Sequence, residues 1–223
     1  MKMLAGSLFT HLMLWLAMVL SPLPMPVFAA DAGPVRSGPA ASAAGQVAWP
    51  DEDAILLRYT QILGGARNGQ ANPSLTLYQD GTMRVYYPDF LKQAGVYAGR
   101  LDPGHLGQLW SMLTDQVLLA FDARKVRDLM AAHDQASDLH ASVIFGISDA
   151  PTLHIEFFPD RYHAAGRSLS ATPATQKTIS WHALKRDARQ YTGIAEIQQL
   201  YAVQQRLEAI MRQSDLTKVD AAP

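Results

Sequence analysis

The chain of 223 residues contains no cysteine. That absence excludes disulfides, thiolate-ligated zinc, a cysteine nucleophile and a lipid-modified cysteine behind an export signal. A fold without crosslinks has to rest on its apolar core, and a chain of this size can bury about two thirds of its unfolded surface. An excess of charge is missing too, since 19 Lys and Arg stand against 20 Asp and Glu. A balanced chain lacks the electrostatic footprint of a nucleic-acid binder. Its one basic knot, Lys185-Arg186 with Arg189, is interrupted by Asp187 and reads as a solvated face. Also missing are a His-Glu-x-x-His helix, a Gly-x-Ser-x-Gly elbow and a lysine after the Gly64-Gly65 loop, so no catalytic residue and no cofactor is nominated.

What is present begins with an export signal. Lys2 supplies the positive end, Leu8 to Leu20 the apolar stretch, and Val27-Phe28-Ala29 the small residues read at cleavage, which places the cut after Ala29. The apolar run of about 13 residues is short of the roughly 20 that a helix needs to cross a bilayer. Residues 1–29 are therefore expected to leave, giving a periplasmic or secreted protein with no membrane insertion after cleavage. Residues 30–48 are small, Pro- and Gly-rich and without periodicity, the composition of a flexible leader. A single domain is expected over 49–213, with a polar, disordered tail over 214–223.

Within that domain Ala54 to Thr60 alternates as a strand. Ser74 to Gln79 and Thr82 to Tyr87 flank Asp80-Gly81 and predict a two-residue hairpin with positive φ at both turn positions. Val96 to Leu101 is the third strand of that meander. Asp102-Pro103 opens a helix with Leu106, Leu109, Trp110 and Leu113 on one face. A shorter helix over Asp122 to Ala132 would turn Val126, Leu129 and Met130 inward. The second half repeats the order: a hairpin of Ser142–Ile147 with Thr152–Phe158, a polar connection from Pro159 to Gln176, a strand over Thr178 to Leu184 and a helix over Ile194 to Met211. Meander then helix, twice, predicts an α+β fold of antiparallel sheet with helices packed on one face.

This order of elements resembles that of the emfourin-type proteins, small inhibitors of thermolysin-like metallopeptidases. The likeness rests on a strand, the Gly64-Gly65 loop, a hairpin ending at Leu101-Asp102-Pro103, a Leu-rich helix, Phe121-Asp122, a second hairpin and a terminal helix. It covers about Ala54 to Phe158 and the last helix. The resemblance implies a non-catalytic role in binding another exported or envelope protein. No residue matches a known inhibitory contact, so none is carried across.

Two candidate surfaces remain. The long loops 64–73 and 159–176 carry residue types suited to recognition, namely Arg67, Asn68, Arg161, Tyr162, His163 and Arg167. Tyr78 and Tyr86 face away from the inward set Leu75, Leu77, Met83, Val85 and Tyr87, where tyrosines serve either as anchors for a partner or as cross-strand pairs. The alternative function is a metal-assisted hydrolase with His133, His140, His154 and Glu156 as ligands, the last two sharing one face of a strand.

Overall fold

The computed structural model describes residues 47–64, 72–136, 149–162 and 175–219. A single 3₁₀ turn at Glu52–Ala54 leads into β1 (Ile55–Ile62), followed by β2 (Ser74–Tyr78), β3 (Thr82–Tyr87) and β4 (Gly95–Arg100). Helices α1 (Pro103–Leu113), α2 (Gln116–Leu119) and α3 (Ala123–Ala136) come next. After β5 (Thr152–Phe157) the chain makes a 3₁₀ turn at Pro159–Arg161 and enters β6 (Lys177–His182). Helices α4 (Leu184–Gln190) and α5 (Ala195–Met211) and a short β7 (Thr217–Val219) complete the order. The seven strands form one sheet in the order β6-β5-β1-β2-β3-β4-β7, and every neighbouring pair is antiparallel. The fold is α+β.

Period-two alternation decides which face each strand presents. Leu57 and Tyr59, Leu75 and Leu77, Met83 and Val85, Leu153, Ile155 and Phe157, and Ile179 and Trp181 all point to one side. There they meet Leu106, Leu109, Trp110 and Leu113 of α1 and Ile197, Leu200, Val203, Leu207 and Ile210 of α5 in a single core. Asp102 caps α1 as its position promises, accepting hydrogen bonds from the Gly104 and His105 backbone amides at 3.0 Å each. Those amides, His105 first, hold its carboxyl below the usual carboxylate range.

The opposite face is polar except at one end. A register shift between Ile55 and Leu57 makes Leu56 a bulge, so three consecutive residues are buried although the strand alternates. Leu56 and Leu57 join the main core, while Ile55 joins Tyr78 and Phe158 in a small outer cluster covered by Trp49. Trp49 stacks on Tyr78 at 6.4 Å, and the Arg161 guanidinium lies 3.8 Å from the Phe158 ring centroid.

Several expectations need correction. The Asp80-Gly81 hairpin has a three-residue turn over 79–81 in which Gly81 (φ 84°) takes the left-handed conformation and Asp80 does not. Asp80 instead accepts from the Thr82 amide at 2.8 Å and the Thr82 hydroxyl at 2.7 Å, a local bond that fixes the turn. The helix predicted over 122–132 runs to Ala136, and Leu129 is exposed where Val126 is buried. The strand predicted over 178–184 stops at His182, because Ala183 adopts φ 56° and turns the chain into α4. Of the second hairpin, 142–147 lies outside the described residues, and both edges of its partner β5 are taken by β1 and β6. The tail predicted to be disordered contains β7, whose Thr217 and Val219 pair with Ala98 and Val96. Tyr78 faces outward as expected, yet it is buried by Trp49 and not available as an anchor.

Candidate functional site

The sharp turn at Ala183 positions a recess on one side of the sheet. An L-residue at φ 56° is strained by about 1–2 kcal/mol, and here the Ala183 amide is fixed by donating to the Pro151 carbonyl at 3.1 Å. The turn swings α4 across the ends of β1 and β5 and against α5. Between them lies a cleft of about 800 Å3, within the range that holds drug-sized ligands. Ala150, Pro151, Leu153, Ala183 and Leu184 give it an apolar wall. Lys185, Arg186 and Arg189 are all exposed, as the solvated-face reading expects, and they also border the cleft.

The three cations are not equivalent. Asp187, only 3% exposed, accepts from Arg186 Nε and Nη2 at 3.0 and 2.9 Å on one oxygen. Its other oxygen accepts from Trp181 Nε1 at 2.9 Å. Arg186 is thereby half-neutralised. Lys185 and Arg189 have no ion pair among the described residues and sit four apart on α4, where like charges repel by a few tenths of a kcal/mol.

Deeper in, Gln204 is 7% exposed. Its Nε2 donates to Glu208 Oε1 at 2.8 Å, which fixes the amide orientation. Its Oε1 is buried without a hydrogen-bond partner among the described residues. An unsatisfied buried acceptor costs about 1–3 kcal/mol. Tyr59 lies beside this pair, and burial, reinforced by the Glu208 charge, pushes its hydroxyl pKa well above the ordinary tyrosine value. Glu208, the one carboxylate among the described lining residues, also meets Arg212 at 3.4 Å.

The residues nominated from sequence are distributed differently. Arg67, Asn68, His163, Arg167 and His140 lie outside the described residues. Arg161 and Tyr162 belong to the fold itself. Arg161 donates to the Ile55 and Glu52 carbonyls at 2.9 and 3.2 Å, and Tyr162 packs on Trp110 with centroids 5.4 Å apart. His154 and Glu156 share the outer face of β5 as expected, where Glu156 accepts from Arg58 at 3.1 Å and His154 sits between Thr60 and Ser180. His133 is on the helix side, edge-on to Tyr191 at 5.4 Å. The sheet therefore stands between His133 and the other two, and no group of three or more possible ligands gathers among the described residues.

A smaller recess of about 350 Å3 lies on the outer face over Ser74, Thr76, Arg84 and Tyr86, two cross-strand pairs of β2 and β3. No described helix is long and apolar enough to cross a membrane. The signal that could have found the cleft under α4 was present in Lys185-Arg186 and Arg189, but only the turn at Ala183 relates those residues to Leu153 and Gln204. No family model, curated protein or solved structure matches this chain.

Proposed function

We propose that this chain is an exported, non-catalytic binding protein and that it receives part of another exported protein in the cleft beneath α4. The observation that supports this reading is the lining itself: Lys185 and Arg189, without an ion pair among the described residues, beside an apolar wall. These are side chains that hold a ligand by charge, area and hydrogen bonds. The Glu208 carboxylate is already engaged by Gln204.

The test is to titrate the mature chain with candidate ligands and map amide chemical shifts. Changes clustered at Leu153, Leu184 and Gln204 are expected, with the ligand recovered chemically unchanged. A ligand recovered as a reaction product would make the protein an enzyme and end the reading. The resemblance to emfourin-type inhibitors makes a thermolysin-like peptidase the first protein partner to try. Stoichiometric loss of peptidase activity is expected, and full retention would remove the inhibitor part of the proposal. Export is checked by intact mass, which should begin at Ala30; a mass that includes Met1 would overturn it.

A further inference from the structure

We propose that the recess on the outer face of the sheet, over β2 and β3, binds a sugar ring carrying a single negative charge, at a site separate from the cleft under α4. Register brings its four lining side chains together, since Ser74 pairs with Tyr86 and Thr76 with Arg84 on adjacent strands. All four are polar, three hydroxyls and one guanidinium, around a volume of about 350 Å3. That volume lies at the lower end of the range for small-molecule sites. Arg84 is exposed and has no ion pair among the described residues. Its register partners on either side are Thr76 and Ala98, neither of which can neutralise it. Its Cζ lies 5.4 Å from the Trp49 ring centroid. Such stacking uses the face of a guanidinium and leaves the N–H groups on its rim for an oxyanion.

The charges around the recess narrow the ligand. Arg58, the register partner of Thr76 on the side away from Arg84, is already held by Glu156 at 3.1 Å and Glu52 at 3.5 Å. That trio carries one net negative charge beside the single positive charge of Arg84. A monoanion is therefore matched, whereas a phosphomonoester, close to a dianion at neutral pH, meets excess negative charge. A nucleic-acid strand would bring one charge per nucleotide to a single cation. A fatty acid finds no apolar side chain in the lining. A bare carboxylate would engage Arg84 and leave the hydroxyls unused. A sugar ring supplies hydroxyls that both donate to and accept from Ser74, Thr76 and Tyr86.

The experiment titrates the mature chain with glucuronic acid, glucose 6-sulfate, glucose 6-phosphate, glucose and acetate, followed by amide chemical shifts. Glucuronic acid or glucose 6-sulfate should bind about tenfold or more tightly than glucose and acetate, with shifts centred on Ser74, Thr76, Arg84 and Tyr86. The tighter of the two identifies the anion as a carboxylate or a sulfate ester. Arg84→Gln should reduce the charged sugar to the level of glucose, and Arg84→Lys should keep part of the difference. Thr76→Val retains shape and strand preference, so it should weaken the charged sugar about threefold and leave acetate unchanged. These changes lie on the outer face, and far-UV circular dichroism should match the parent. Equal binding of glucose and the charged sugars, tightest binding of glucose 6-phosphate, or shifts centred elsewhere overturns the inference. The cleft reading stands or falls separately, on shifts at Leu153, Leu184 and Gln204.

Discussion

A carboxylate removed from water is stable only with donors around it, and Asp187 has three: Trp181 Nε1 and two nitrogens of Arg186. Asp187→Ala should cost about 2–3 kcal/mol in urea unfolding, because a buried indole N–H then loses the carboxylate that accepts from it. Asp187→Asn should cost less and at the same time release Arg186 toward the cleft, tightening any anionic ligand. Tyr191 titrates in an accessible range. Burial, with the hydrogen bond that Tyr191 donates to Asp134 at 2.8 Å, raises the Tyr191 hydroxyl to about 12. The folded protein then keeps a proton that the unfolded chain loses near pH 10, so this stabilisation is present below pH 10 and is lost as pH rises through about 12. Tyr191→Phe should flatten the decline in stability between those two values. An unchanged alkaline limb in denaturant melts at stepped pH would contradict this.

At the scale of elements, α3 separates pattern from packing. Val126 and Leu129 are both apolar and three residues apart, yet one is 1% and the other 48% exposed. Val126→Ala should cost about 2 kcal/mol, and Leu129→Glu should stay within about 0.5 kcal/mol of the parent. The meander, the capped start of α1 and the inward face of α5 were legible because each is written locally, in alternation, Asp-Pro and helical spacing. Elements decided by distant partners were not. β7 is three residues long and exists because β4 offers an open edge beside it. Helix α4 begins with an alanine in a glycine-like conformation, a choice that no local propensity announces. Leu216 packs against the main core just before β7. Leu216→Ala should destabilise by about 1 kcal/mol, and it should speed hydrogen exchange in β4 more than in β1, as read by mass spectrometry of peptides from the two strands.

Over the whole molecule, one sheet divides two different environments. The helix side holds nearly all the apolar area, while the outer side carries Thr, Ser and charge except where Trp49 closes over Ile55, Tyr78 and Phe158. Trp49→Ala should open that outer cluster at a cost of about 2 kcal/mol and leave ligand affinity at the cleft untouched, since the sheet lies between them. The same division explains how much of the site could be read in advance. His154 and Glu156 were correctly placed on one face of a strand, but alternation says nothing about which face a helix will cover. The basic knot was visible as charge and unreadable as a cleft, because Lys185 meets Leu153 and Gln204 only after three separate segments have packed.

The bond between Trp181 and Asp187 has an optical consequence. The Trp181 ring is enclosed by Phe121 at 5.8 Å and by the Arg127 guanidinium at 5.8 Å, and its Nε1 rests on the carboxylate that also restrains Arg186. Indole emission responds to the field along its ring. A ligand that draws Arg186 off Asp187 therefore changes the colour of this chromophore without touching it. Trp49 and Trp110 are placed elsewhere, on the outer face and beneath Tyr162. Replacing both with Phe would leave the domain carrying one dye of its own, coupled to the cleft through Asp187 and Arg186.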